Sequence, residues 1–437
     1  MILRISVLGG VAAGITSIFY FLGVITGANP FVSLIVSAVA CIAAVKWLAL
    51  PLPEADAKAP TKWLRIVCFV VLGAAVAAFI GIALKEPHGD WDAWSIWNLH
   101  ARFLARGGDH WTAMFSKDLA WSHPNYPLLL PALIAQLWSV TGAQSRFVPM
   151  IIAFLFTFLT VGALFGALRR LRGWDQALIA AVFLFGGAEL TAQGITQYAD
   201  IPLAFYIVSA LALLFFDNVK CTALAGALAG FAAWTKNEGL LFLIALLAAR
   251  CIARLRFRES AKLAREIGWM AAGAAPALAT LALFKMKYAP ADDLLFSHKA
   301  GELVTRAADF GRYITVIEAF IEALFRAGGF LVPGIIVLGV YAWLLGFRPD
   351  PKQRVGLATV IMAVAIMLLG DFAIYVLFPN DVNWQLGTSM PRVFFQVWPA
   401  ALLAFFTAVS TVDLAAAPPK LKESKKELKR AAAARRH

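Results

Sequence analysis

Charge is scarce in this chain. Only 15% of its 437 residues are Asp, Glu, Lys or Arg, against 61% hydrophobic. A soluble domain of this length needs far more charge to cover its surface, so a water-soluble globular fold is excluded. Cysteine is also rare. Cys41, Cys68, Cys221 and Cys251 lie in or beside apolar stretches with no metal-ligand spacing. They imply neither a disulfide framework nor a zinc site. Acid is the rarer charge: 26 Asp and Glu against 39 Lys and Arg leave a net charge of +13. The basic residues sit in short segments between apolar stretches. That placement argues against a nucleic-acid partner and for loops held near anionic lipid. No internal repeat and no inverted pair of broken helices is visible.

What is abundant is apolar sequence in stretches of about 20 residues, the thickness of a bilayer for a helix. Such stretches are too long and too close together for the strands of a barrel. The candidate spans are 5–25, 31–50, 64–84, 147–168, 177–190, 201–216, 221–234, 239–252, 267–284, 330–345, 355–378 and 393–412. The expected fold is therefore an all-α polytopic membrane protein with about 12 transmembrane helices. Basic clusters fix the orientation: Lys58, Lys62 and Arg65; Arg169, Arg170 and Arg172; Arg250 through Arg265; Arg348, Lys352 and Arg354; and the basic tail, residues 416–437. They share one side if both termini are cytoplasmic and 127–141 does not cross. That stretch is too short to span and is expected to lie in the outer interface.

The loops on the other side hold the chemistry. The first, 85–146, is long for a compact protein and contains HGDWDAWSIWNLHARFLARGGDHW. Asp90 and Asp92 follow a span directly, among tryptophans that also suit an interfacial belt. A carboxylate partly stripped of water at that boundary is a candidate general base, or a ligand for a divalent cation such as Mg or Mn. His123 and Tyr126, in SHPNYPLLLP, sit at the mouth of whatever the loop covers. The second loop, GITQYADIPL, brings Gln197 and Asp200, the acid also serving as a helix cap. TKNEG, with Lys236 and Glu238, interrupts two apolar stretches on the same side. In a third loop, YITVIEAFIEALFRA places Ile314, Ile317, Phe320, Ile321, Leu324 and Phe325 on one face, the pattern of a helix lying on the membrane. The last, 379–392, carries Trp384 and ends on Arg392, a natural partner for phosphate. Asp371 lies inside a span, where acids default to functional hypotheses.

The order of these motifs resembles the GT-C superfamily of membrane glycosyltransferases. Asp92, then Trp94 and Trp97, then Ala101-Arg102 and Gly108-Asp109-His110-Trp111, is similar to that superfamily's first external loop. HPNYPLLLP, QYADIPLAFY and TKNEGLLFL are similar to later motifs of protein mannosyltransferases and aminoarabinose transferases. The resemblance is best over 64–249, and residues 1–63 look like two added helices. The chain has Asp-Ala at Asp92-Ala93 where many members have Asp-Glu, and Pro-Asn-Tyr-Pro in place of Lys-Pro-Pro.

The resemblance implies a catalytic bundle over 64–415. Its activity would be inverting transfer of a sugar from a polyprenyl-phosphate carrier to a hydroxyl of a lipid, glycan or protein. The site would face outward from a bacterial inner membrane. Carried over, Asp92 is the general base, with Asp90 its rival, and Asp200 positions the acceptor or, with Asp92, a metal. Arg102, His123, Tyr126, Gln197, Lys236, Glu238, Trp384 and Arg392 are the candidate substrate binders, Lys236 and Arg392 for the lipid phosphate. Two other classes compete. A transporter or flippase for a lipid-linked sugar would need polar groups at the midplane, and Asp371 keeps that reading open. An O-acyltransferase or ligase would favour a histidine within a span, whereas His100, His110, His123 and His298 are expected outside.

Overall fold

The computed structural model describes residues 1–48, 52, 58–142, 144–290, 300–329, 331–379 and 381–412. The basic tail at 416–437 and His298 lie outside the described residues. The protein is 84% helical, with no strand among the described residues.

Along the chain, α1 (Ile2–Thr26), α2 (Pro30–Leu48) and α3 (Lys62–Lys85) lead to a π-helical turn (Ala93–Trp97) and α4 (Asn98–Arg106). Two short 3₁₀ turns (Gly108–Phe115 and Lys117–Ser122) precede α5 (Leu129–Thr141). Next come α6 (Phe147–Leu171), α7 (Trp174–Gly186), α8 (Ala188–Ile195), α9 (Asp200–Leu213), α10 (Val219–Thr235) and α11 (Asn237–Arg256). The rest are α12 (Leu263–Lys287), α13 (Ala300–Ala307), α14 (Phe310–Arg326), α15 (Gly334–Leu345), α16 (Arg354–Leu377) and α17 (Val382–Ala408).

Seven of these, α1, α2, α3, α6, α12, α16 and α17, are long and apolar enough to cross a membrane. The pair α7 and α8, bent by 59°, makes an eighth if taken as one span. The expected spans at 201–216 and 221–234 appear as α9 and α10, of 14 and 17 residues. Every residue of α9 is buried. It packs against α6, α10 and α17 and forms the centre of the bundle.

α1 is wedged into the core, with Phe21 fully buried against Trp111, Trp234 and Phe284. The Tyr206 hydroxyl donates to the Gly10 carbonyl at 2.9 Å, and Trp234 Nε1 to Ser17 Oγ at 3.0 Å. Close approach of α10 and α12 depends on missing side chains. A β-carbon at Gly226 would sit 2.1 Å from the Met270 carbonyl oxygen, and one at Gly273 1.9 Å from that of Ala223. Backbones this close gain packing that does not rely on a hydrophobic driving force.

The bundle has two unlike polar ends. At one, Arg250 donates from Nε and Nη2 to the two Glu266 oxygens, both at 2.8 Å, while Arg254 pairs with the same carboxylate. This clamp joins α11 to α12. Arg4 lies beside Arg169 and Arg170, and Thr61 is held by Asp175 at 2.8 Å. The other end carries the acid-bearing loops. There α5 packs against α1, its Gln136 donating to the Pro30 carbonyl at 3.1 Å.

Two boundaries move. The segment 379–392, read as a loop, is helical from Val382 onward. Asp381 caps it, accepting from the Trp384 amide at 2.8 Å, so Arg392 sits inside α17 instead of at its start. The amphipathic helix is α14, but Phe320 turns inward onto Phe372, Tyr375 and Phe394. Ile314, Ile317, Ile321, Leu324 and Phe325 remain exposed. α14 thus has two apolar sectors, one against the bundle and one outward, and Glu318 and Glu322 begin its polar sector.

Candidate functional site

Gly89 starts the site. Its φ of +68° and its contact with Thr196 (a β-carbon there would meet the Thr196 carbonyl oxygen at 2.4 Å) suit only glycine. The Asp90 amide donates to that same carbonyl at 3.2 Å. Gln197, itself in the left-handed region at φ +60°, donates from Nε2 to the Pro87 carbonyl at 3.2 Å. These bonds dock the end of the first loop's opening turn onto the α8–α9 turn. The Tyr198 hydroxyl then engages the Asp92 backbone, and burial pushes that phenol's pKa up. Asp92 and Asp200, 108 positions apart in sequence (200 minus 92), end on neighbouring turns.

Asp200 opens α9 at 1% exposure. Lys236, 6% exposed, lies in extended backbone between α10 and α11. Its Nζ reaches Asp200 at 3.0 Å and Glu238 at 2.7 Å. Burial by itself pulls the Lys236 pKa down, but the two carboxylates outweigh it and hold that pKa well above the ordinary lysine range. Gln396 Nε2 donates to Asp200 at 2.6 Å. One helical turn earlier on α17, Arg392 pairs with Asp92 through Nη1, its guanidinium 5.0 Å from the centre of the Tyr198 ring. Two acid–cation pairs from four separate segments thus lie side by side.

Asp92, Lys236 and Arg392 of these pairs line one cavity of about 1120 Å³. Asp90, Asp92, His123, Tyr126, Lys236, Trp384 and Arg392 all face it, joined by Lys117, Asn237, Gln385 and Thr388. His123 takes a left-handed backbone (φ +50°) that stacks its ring on Tyr126 at 4.9 Å, and Tyr126 stacks in turn on Trp97 at 5.7 Å. His123 and Tyr126 present a flat ring face to the cavity beside charged groups, backed by the buried Trp97. Burial also raises the Tyr126 phenol's pKa, so it is a neutral donor at any physiological pH.

Four expected residues lie elsewhere. Gln197 holds the Pro87 turn. Arg102 faces a neighbouring shallow depression of about 720 Å³ with Glu86, His88 and Trp94, which shares only Asp90 with the main cavity. Asp200 and Glu238 stand behind Lys236 and do not line the wall. Asp90's side chain accepts from the Trp91 amide at 2.7 Å, a local turn contact. Two residues were missed. Gln396 had a signal, a buried amide one turn from Arg392 in an apolar stretch; Tyr198 had none beyond standing two positions before Asp200.

The donor set does not fit a divalent cation. Asp92 is taken by Arg392, and Asp200 by Lys236 and Gln396. No group of three His, Cys, Asp or Glu side chains is gathered among the described residues.

Comparison with protein-family models, with curated proteins and with solved structures found no match.

Proposed function

We propose that this protein is a membrane glycosyltransferase of the GT-C type, moving a sugar from a polyprenyl-phosphate carrier to a hydroxyl acceptor. The reading takes in the finer expectations: about 12 membrane passages, a bacterial inner membrane, cytoplasmic termini and an outward site. One observation carries it. Asp92, Lys236 and Arg392, from distant parts of the sequence, meet on the wall of a single cavity at the acid-bearing end, opposite the arginine-rich end. A carrier that is half lipid and half sugar phosphate needs a site of this kind, with acids beside cations in a partly dry cleft.

The step balances with the residues present. Asp92 takes the acceptor O–H proton as the acceptor oxygen bonds to the anomeric carbon from the face opposite the carrier. The bond from that carbon to the phosphate oxygen breaks, and its electron pair leaves with the phosphate. The charge that grows on that oxygen is met by Arg392 and Lys236. The His123–Tyr126 stack offers a face for the sugar ring. Asp200 and Glu238 keep Lys236 in place and touch no reacting atom.

The test compares cell-envelope glycans and lipids, by mass spectrometry, in strains carrying wild type, Asp92→Asn or Asp90→Asn at equal protein level. The expected result is loss of one glycosylated species with Asp92→Asn and its retention with Asp90→Asn. Identical profiles in all three sink the proposal. Loss with Asp90→Asn alone transfers the base role to Asp90. A transporter reading draws support from Asp371, 3% exposed within α16, whose Oδ2 has no hydrogen-bond partner. It predicts accumulation of the lipid-linked donor on the cytoplasmic leaflet, not unreacted donor on the outer one.

A further inference from the structure

The Asp92–Arg392 pair creates a conflict for the proposed chemistry. Asp92 Oδ2 already accepts from Arg392 Nη1, so the guanidinium competes with an acceptor hydroxyl for that oxygen. Arg392, meanwhile, has unused capacity. Its Nε is buried and has no hydrogen-bond partner, although the residue faces the cavity. Lys236 differs, its charge being matched by two carboxylates. Lys117 lies at the exposed rim, where a hydrated ammonium binds weakly. An idle N–H on a cation at a cavity wall points to an oxyanion. A guanidinium suits phosphate because two parallel N–H groups engage two oxygens at once.

Resting on the sugar-phosphate reading above, we infer that Arg392 is a two-position residue: it holds Asp92 in the empty site and passes to the donor phosphate on binding, which frees Asp92. Exchange costs little charge separation, since the guanidinium faces an oxyanion in both states. The Tyr198 ring under it supplies a fixed face in either position. Gln396, one turn away on α17 and bonded to Asp200, keeps the second carboxylate from competing for the vacated space. The consequence is an ordered site. Asp92 Oδ2 is released from the guanidinium only when a phosphate is present, so the donor precedes deprotonation of the acceptor.

The exchange makes a prediction of unusual sign. If phosphate must take Arg392 from Asp92, removing the Asp92 charge strengthens phosphate binding. The probe is a short-chain polyprenyl phosphate, with the matching polyprenol as control, titrated against full-length protein in detergent. Asp92→Asn is expected to bind the phosphate about tenfold more tightly than wild type, because a neutral amide competes weakly for a guanidinium. Arg392→Ala is expected to bind it at least about tenfold more weakly. In the Arg392→Ala background, Asp92→Asn brings no gain. Arg392→Lys, which keeps the charge but loses Nε, falls between. Thermal midpoints of each variant show that the protein measured is folded.

Unchanged or weaker binding by Asp92→Asn, with Arg392→Ala still impaired, overturns the exchange: Arg392 would then bind phosphate without leaving Asp92. Should every form bind the phosphate no better than the polyprenol, the donor assignment itself fails, and the exchange with it.

Discussion

Buried between Asp200 and Glu238, Lys236 neutralises two carboxylates that would otherwise repel across a dry gap. Replacing it by Met strands them. Breaking a buried pair in this way costs about 3–5 kcal/mol, and the loss is relieved when Asp200→Asn is added. Thermal unfolding in detergent checks this, and an unshifted midpoint for Lys236→Met shows that the pair is not a support of the fold. His100, outside the candidate membrane-crossing helices, gives a pH test. Its Nε2 meets Ser122 Oγ at 3.2 Å, and burial, aided by His123, lowers its pKa to about 3 from an ordinary value of 6.5. Between those values the unfolded chain binds a proton that the folded chain refuses. Stability from this residue is complete above pH 6.5 and declines as pH falls toward 3. The expected outcome is a thermal midpoint that drops on acidification in wild type and drops less in His100→Gln. Equal slopes count against the assignment.

Among elements, the α10–α12 contact is the most exacting. Gly226→Leu drives a side chain into the Met270 backbone 2.1 Å away, where no flexible neighbour can yield. The cost is about 1–3 kcal/mol or more, read as a lower midpoint and reduced yield. Gly81→Ala on α3, with open space around it, serves as the matched control and is expected to be neutral or slightly stabilising. The two helices show different limits of pattern reading. α14 announced itself through a six-residue apolar face, yet Phe320 was assigned to the wrong sector. Periodicity marks which residues are apolar. It does not say which neighbour they meet, and here the apolar arc serves both bundle and surroundings. For α17, the polar composition of 379–392 masked a helix that a single Asp381 cap begins.

At the scale of the whole molecule, the prediction concerns sidedness. The cavity and the arginine clamp occupy opposite ends, so a membrane-impermeant thiol reagent separates them. In a cysteine-free background, Lys117→Cys is expected to react in intact cells, and Arg256→Cys only after lysis. The reverse pattern overturns the orientation proposed from basic residues.

Composition and apolar period were enough to show a helical membrane protein, because a bilayer admits only helices and closed barrels and stretches of about 20 apolar residues are too long for barrel strands. The polar residues worth watching were legible for the same reason: acids and cations are costly near lipid, so each one present attracts notice. Asp92, Lys236 and Arg392 were found that way. Their partners were not. Which carboxylate meets which cation depends on the turn at Gly89, the burial of α9 and the place of Arg392 within α17, all settled by contacts between segments far apart in the chain. Sequence spacing carries no information about such distances. Packing alone put α1 in the core, brought Tyr198 and Gln396 to the site, and set Arg392 on Asp92.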